Sequence, residues 1–256
     1  MALSEPAARG IARVERWLPP VLLGVAAIGW WWSVDSAAEM SAGDDMGMSM
    51  GATSISAAAF LVAWVAMMAA MMLPAILPVV RLYARAAARG AVAPVGVFVA
   101  GYIVVWSAMG IPAFVAWRAL ERRLVEASPT AGRIAGVVLV AAAAYQWSPM
   151  KAGCLRHCRS PMSFFLQHGT KLNRPSGAVV AGARHGLFCL GCCWMLMVVL
   201  VAFGTMQLWW MAGLAALILF EKVSAVGEPV ARMAGVVFAV IGAVLLLLPK
   251  TISYLI

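Results

Sequence analysis

Charged residues are scarce in this chain of 256 residues. Only 11% of its residues are Asp, Glu, Lys or Arg, while 64% are hydrophobic and the mean hydropathy is +0.93. A soluble globular domain has about 25% charged and about 45–50% apolar residues, so these few charges cannot cover a water-facing surface. The composition therefore excludes an ordinary soluble domain, a nucleic-acid binder built on such a domain, and a disordered chain.

Sequence motifs of the common enzyme classes are also missing. The chain contains no H-E-x-x-H motif, no phosphate-binding glycine loop and no nucleophile motif. We therefore expect no chemistry on an organic substrate. A metal-dependent enzyme with an open coordination position stays a hypothesis.

Long apolar runs occupy most of the chain instead. Because a spanning helix needs about 20 apolar residues, the sequence predicts an all-α, polytopic membrane helix bundle of about seven transmembrane helices. We treat residues 1–256 as a single integral membrane domain whose main partner is the lipid bilayer. A periplasmic or membrane protein partner is a hypothesis, and the oligomeric state is left open. The predicted spans cover residues 17–34, 55–80, 93–117, 134–149, 178–203, 208–226 and 233–249.

The basic residues between these spans predict the orientation. Fourteen of the 19 Lys and Arg residues fall on the side of the N-terminus, and cytoplasmic segments carry such an excess. The prediction is N-in and C-out. Residues 118–133 fit poorly because they place four Arg on the outer side, and an amphipathic interfacial helix would explain their mixed charge. The first span has a second interpretation as a signal peptide, since basic residues precede it and small residues follow it.

Residues 35–54 are predicted to form an acidic, methionine-rich outer loop. This segment has four acids, no basic residue, and four Met among Gly and Ser. Thioethers are soft ligands that select Cu(I) and need no deprotonation, and the M-x-M-x-M spacing lets successive sulfurs gather around one ion. A solvated linker with incidental methionines would explain the same composition.

A basic inner loop, residues 150–177, carries the first cluster of Cys and His. Cys154, His157 and Cys158 lie between Pro149 and Pro161, and prolines commonly start and stop helices. On a short helix their spacing places all three side chains within an arc of about 100°. Thiolates and an imidazole that converge in this way suit Zn(II) or Cu(I).

The second cluster lies in the predicted fifth span. His185, Cys189, Cys192 and Cys193 fall on one helical face about 100° wide. A polar stripe inside a membrane normally faces the bundle interior and marks function. Both clusters are predicted near the inner ends of their spans, so a joint site is geometrically possible, and the sequence leaves open whether they join.

The cysteines also allow other interpretations. A buried Cys can act as a small hydrophobic residue, and the C-L-G-C segment gives Cys189 and Cys192 the spacing of a dithiol redox pair. Structural disulfides are not expected on the reducing inner side. We further expect the neighbouring Arg156, Arg159 and Arg184 to lower the pKa of the thiols by favouring the thiolate.

The second span is rich in methionine. Met67, Met71 and Met72 share one side of the predicted helix with Trp64 and Met68. Packing is the usual role of methionine in a helix. Thioethers one turn apart could also pass or hold a soft cation within the bilayer.

Glu221 and Lys222 close the sixth predicted span. Adjacent residues point in different directions on a helix, so they are not a ready-made pair. We expect them to mark the inner interface. The alternative is that Glu221 faces the bundle as a ligand or proton acceptor.

Four sequence blocks resemble a bacterial family of predicted metal-binding integral membrane proteins. The resemblance covers about residues 60–225 and implies a multi-pass protein of the bacterial inner membrane that binds a transition metal. The blocks are WVAMMAAMMLP, YQWSPMKAGCLRHCRSP, GLFCLGCCWMLM and LWWMAGLAALILFEK. The family pattern falls on Met67, Met71, Met72, Cys154, Cys158, Cys189, Cys192, Cys193 and Glu221.

The sequence thus predicts metal handling or transport at an inner-side Cys/His site, with Cu(I) as first choice and Zn(II) as second. One alternative is a membrane thiol oxidoreductase that uses Cys189 and Cys192. Another is a metal-stapled scaffold for a partner protein. The candidate metal ligands are Cys154, His157, Cys158, His185, Cys189, Cys192, Cys193, Met67, Met71, Met72 and Glu221.

Overall fold

A computed structural model describes residues 16–35, 56–89, 92–124, 129–159, 172–203 and 208–249. Within these ranges the chain is all-helical, as predicted, and each of the seven predicted spans coincides with a helix. The helices are α1 (Arg16–Asp35), α2 (Ala57–Ala88), α3 (Val95–Leu124), α4 (Pro129–Gln146), α5 (Pro149–Arg159), α6 (Pro175–Phe203), α7 (Leu208–Val223) and α8 (Gly227–Leu247).

Five of these helices, α1, α2, α3, α6 and α8, are long and apolar enough to cross a membrane. Helices α4 and α7 have 18 and 16 residues, which is short of the about 20 that a bilayer core requires. The prediction of about seven spans is therefore supported for five helices by length and composition.

Residues 118–124 continue α3 and Arg133 lies in α4, so the described part of residues 118–133 forms no separate interfacial helix. The outer loop, residues 35–54, lies outside the described residues except for Asp35.

Prolines and a polar cap set several helix starts. Helices α4, α5 and α6 each begin at a proline, whose fixed φ suits the first helical position. Helix α2 begins after Ser56, whose hydroxyl accepts a hydrogen bond from the Ala59 backbone N–H at 3.2 Å. Pro74 and Pro78 lie inside α2, which nevertheless remains one helix of 32 residues.

Helices α3 and α6 pack through glycine. A Cβ atom on Gly182 of α6 would overlap the carbonyl oxygen of Phe98 in α3. One turn further along α6, a Cβ atom on Gly186 would lie 3.3 Å from the carbonyl oxygen of Tyr102. Small residues allow such close backbone approach between apolar helices. Because the contacting residue numbers rise together, α3 and α6 run parallel.

Helices α4 and α8 pack in the opposite sense. Gly136 of α4 faces Gly242, and further along α4 Gln146 faces Gly235. These numbers run in opposite directions, so the two helices are antiparallel. Both arrangements agree with a chain that reverses direction at each predicted span.

We predict that Gly182→Ala destabilises the fold, because the added methyl group meets backbone atoms that cannot rotate away. Overpacking of this kind costs about 1–3 kcal/mol. The matched control is Gly213→Ala in α7, where a Cβ would have no neighbour within 4 Å. Thermal unfolding in detergent, followed by size-exclusion chromatography, should show a lower midpoint for Gly182→Ala only. Equal midpoints for both variants would contradict the close crossing.

Candidate metal centre

A thiol pair joins helices α5 and α6. The predicted short helix between Pro149 and Pro161 is present as α5, and it places the Sγ atom of Cys158 4.0 Å from the Sγ atom of Cys192. Both residues are buried and both are free thiols. A disulfide needs about 2.05 Å between sulfurs, whereas a thiolate–metal bond of about 2.3 Å would let one ion between them contact both.

Cys154 lies one turn earlier on α5, against Gly191 of α6. A Cβ atom on Gly191 would come within 2.7 Å of the Cys154 sulfur, so only glycine leaves room for the thiol there. The hydroxyl of Tyr145 donates a hydrogen bond to the carbonyl oxygen of the same glycine. The close neighbour of Gly191 is thus the side chain of Cys154.

Cys189 lies deeper in the bundle and has two polar neighbours. The Lys222 ammonium donates a hydrogen bond to the Cys189 sulfur at 2.8 Å, and the Tyr102 hydroxyl lies 3.0 Å from the same sulfur. All three residues are buried. The Lys222 ammonium also lies 3.8 Å from the Met72 sulfur. A cation, a thiol, a phenol and a thioether thus meet at one point.

The other two thiols of α6 turn back along their own helix. The Sγ atoms of Cys192 and Cys193 donate hydrogen bonds to the Cys189 carbonyl oxygen at 3.0 and 2.9 Å. These bonds keep the three sulfurs of α6 on one buried side. All three residues are at most 1% exposed, so the polar stripe faces the bundle interior as predicted.

The two clusters therefore meet, which the sequence left open. They meet as pairs, because within the described ranges no group of three or more His, Cys, Asp and Glu side chains is arranged to hold a metal ion. Metal binding by these residues stays a prediction.

The two candidate histidines pack against aromatic rings. The His157 ring stacks on Phe188 with 3.7 Å between ring centroids. The buried His185 ring lies 6.1 Å from the rings of both Phe98 and Tyr102. Their role as ligands also stays a prediction.

The candidate methionines of α2 are buried. Met67, Met71 and Met72 are 6%, 2% and 0% exposed, which fits the packing role that methionine usually has. Met72 additionally reaches the Cys189 site through its contact with Lys222.

Glu221 faces the bundle interior, which was the alternative interpretation. Its carboxylate forms an ion pair with Lys151 of α5 at 2.8 and 2.9 Å, and the Gln146 amide donates a further hydrogen bond at 3.1 Å. Glu221 and Lys151 are each 1% exposed. These contacts fasten α5 to α7, and a role of Glu221 as a metal ligand stays a prediction.

The expected effect of the arginines on the thiols is wrong for the described residues of α5. Arg159 donates hydrogen bonds to the carbonyl oxygens of Ser224 and Ala225, and Arg156 donates to that of Ala152. Burial raises the pKa of the Cys154 thiol, and the neighbouring Cys192 raises it further. The hydrogen bond with Cys192, followed by burial, holds the pKa of Cys158 well above its ordinary value.

Lys222 is the functional candidate that the sequence analysis missed. We expected it at the interface because it lies in the last turn of α7, but it is only 7% exposed. The buried side of α7 continues from Met211 through Leu214 and Ile218 to this turn. That spacing of three and four residues would have predicted an inward direction for Lys222.

We predict that Glu221→Gln destabilises the protein strongly, because it leaves the Lys151 ammonium buried without its carboxylate. Breaking one side of a buried pair costs about 3–5 kcal/mol. The control is Glu228→Gln, which breaks the exposed ion pair with Arg232 and should cost at most about 1 kcal/mol. Chemical unfolding in detergent measures both. Comparable losses in the two variants would show that the Lys151–Glu221 pair is solvated.

Comparison with known protein families identifies the chain. A family model described as PpoB2, copper chaperone, matches residues 61–245, which include all five cysteines and most of α2 through α8. No curated protein and no solved structure matches the chain. This match agrees with the metal-related family expected from the sequence blocks and supports copper handling. The chain belongs to the PpoB2 copper chaperone family.

Proposed function

We propose that this protein is an integral membrane copper chaperone that holds Cu(I) at the thiols between α5 and α6 and passes it to a partner. The observation that carries the proposal is the 4.0 Å separation of the Cys158 and Cys192 sulfurs on two different helices. Three further free thiols lie on the same two helices. Thiolates and thioethers are the soft ligands that Cu(I) prefers.

Copper(I) suits this donor set better than zinc. A structural zinc site is closed by four ligands in a tetrahedron, whereas no three His, Cys, Asp or Glu side chains converge on one point in the described chain. Cu(I) can use the thiols together with a thioether such as Met72.

An apolar cavity lies on the predicted outer side of the thiols. It has a volume of about 300 Å³, lies among α2, α3, α4 and α6, and is lined in part by Trp64, Trp106, Met109 and Met197. Met197 follows Cys193 by one helical turn, on the side of α6 predicted to face outward. Indole rings attract cations through their faces, and thioethers bind Cu(I). The methionines of residues 35–54 would supply ions to this end of the bundle.

We predict that the double variant Cys158→Ser, Cys192→Ser no longer binds Cu(I) in stoichiometric amount. Each substitution replaces a soft sulfur donor by a hydroxyl oxygen, so both soft donors of the pair are removed. Copper is measured by elemental analysis of detergent-purified protein and by competition with a chromogenic Cu(I) chelator under reducing conditions.

The matched comparison is Cys154→Ser, which removes a thiol from the same helix; because that sulfur lies against Gly191 outside the Cys158–Cys192 pair, copper content should fall much less than in the double variant. Unchanged copper content in the double variant would contradict the site. If the wild-type protein binds no copper and its thiols cross-link reversibly with an oxidant, the thiol oxidoreductase hypothesis would replace the proposal.

The proposal also places the protein in the bacterial inner membrane with its thiols on the cytoplasmic side. The five long apolar helices and the excess of basic residues on one side support this placement. We predict that alkaline phosphatase, which is active only outside the cytoplasm, is inactive when fused between residues 159 and 172 and active when fused between residues 203 and 208. The opposite pattern would reverse the orientation, and equal activities would contradict a span formed by α6.

A further inference from the structure

We propose that Lys222 is a resident cation at the Cys189 and Met72 sulfurs, a second place for Cu(I) next to the Cys158–Cys192 pair, and that it withdraws when copper binds there. This inference rests on the proposed function and adds to it a residue that controls copper affinity. The ammonium is held between a thiol and a thioether, 2.8 Å from the Cys189 sulfur and 3.8 Å from the Met72 sulfur. Thiol and thioether sulfurs are ligands for Cu(I) and weak acceptors for an ammonium group.

The position of Lys222 is unusual for a lysine at a helix end. It lies one residue before the end of α7 at Val223, where a long side chain normally extends to the interface and keeps its charge in water. Here the side chain is turned inward and is only 7% exposed. Desolvation of an ammonium is costly unless a partner compensates for it, so the Cys189 sulfur and its neighbours must hold the charge in place.

The position of Lys222 near the end of α7 also lets its ammonium reach the protein surface. Lysine has a flexible four-carbon stem, and the residue after α7, Ser224, is half-buried while Ala225 and Val226 are exposed. A rotation of the stem therefore takes the ammonium toward the surface without moving the helix. Cu(I) then binds the Cys189 sulfur as a thiolate, whose proton passes to solvent, and contacts Met72 in the place that the ammonium has left.

The other buried lysine shows what a fixed lysine looks like. The Lys151 ammonium is 1% exposed and contacts both carboxylate oxygens of Glu221. Because the Lys151 ammonium contacts both carboxylate oxygens, this ion pair offers no ligand to a soft metal ion. Lys222 has sulfur acceptors and a phenol instead of a carboxylate among its nearest neighbours, so its position is the one that a soft metal ion can take over.

An exchangeable cation also fits a protein that must release its cargo. When copper leaves for a partner, the Lys222 ammonium returns to the Cys189 sulfur. Release therefore does not leave this sulfur without a neighbouring cation. Without Lys222 the same sulfurs would hold Cu(I) more tightly, because copper would no longer have to displace an ammonium group from them.

The first test is the variant Lys222→Leu, since leucine removes the charge and adds no metal donor. We expect its affinity for Cu(I) to rise at least about tenfold in chelator competition, because the competing positive charge is absent. The matched control is Arg81→Leu, which removes an exposed positive charge from α2 and should leave the affinity unchanged. Unchanged or weaker binding by Lys222→Leu would overturn the inference.

A second test uses the wild-type protein and does not depend on the folding of a variant. Amine labelling with a water-soluble ester, read by mass spectrometry, should increase severalfold at Lys222 when Cu(I) is added. Labelling at Lys151 should stay low with and without copper and serves as the internal control. If the wild-type protein binds Cu(I) but labelling of Lys222 does not change, the inference fails while the proposed function stands; if it binds no Cu(I), both fail.

Discussion

The buried Lys151–Glu221 ion pair fixes the short helix α5 to the rest of the bundle. Helix α5 is only 11 residues long and carries Lys151, Arg156 and Arg159, so hydrophobic burial alone gives it little reason to take one orientation. The Lys151–Glu221 ion pair and the hydrogen bond from Gln146 to Glu221 fix the orientation of α5. A buried pair of this kind is weak evidence for added stability, and its better-supported use is to select one arrangement. The orientation of Cys158 toward Cys192 depends on that selection.

The second constraint is the close parallel crossing of α3 and α6. Gly101 and Gly182 lie where the backbones of the two helices touch, and this contact brings Tyr102 to the Cys189 sulfur at 3.0 Å. Packing by small residues also leaves little space for rearrangement, since protein interiors are close-packed. The Cys189 site therefore has rigid walls from α2, α3 and α6. Its movable part is the side chain that enters from α7.

The sequence was sufficient to predict the helices and which face of α6 is buried, because both depend on local periodicity and composition. The seven apolar segments, the short helix between Pro149 and Pro161, and the inward stripe from Cys189 to Cys193 are all present. The partners of the charged residues could not be predicted, since they depend on which helices become neighbours. Arg159 was expected beside the thiols but binds carbonyl oxygens in the turn between α7 and α8, whereas Lys222 was expected at the interface but contacts Cys189. Composition cannot distinguish these two outcomes.

An incomplete donor set is an advantage for a protein that transfers a metal ion. A closed four-ligand site holds its metal as part of the fold, and removal of the metal then costs folding free energy. Here Cys158 and Cys192 lie as a pair, Cys189 lies with Met72 and Lys222, and α5 keeps its place through a carboxylate rather than through the metal. Ion pairing and helix packing thus hold these helices together. Under the proposed function, copper would enter and leave by exchange of sulfur ligands while the helices stay in position, which would separate the binding of the cargo from the stability of its carrier.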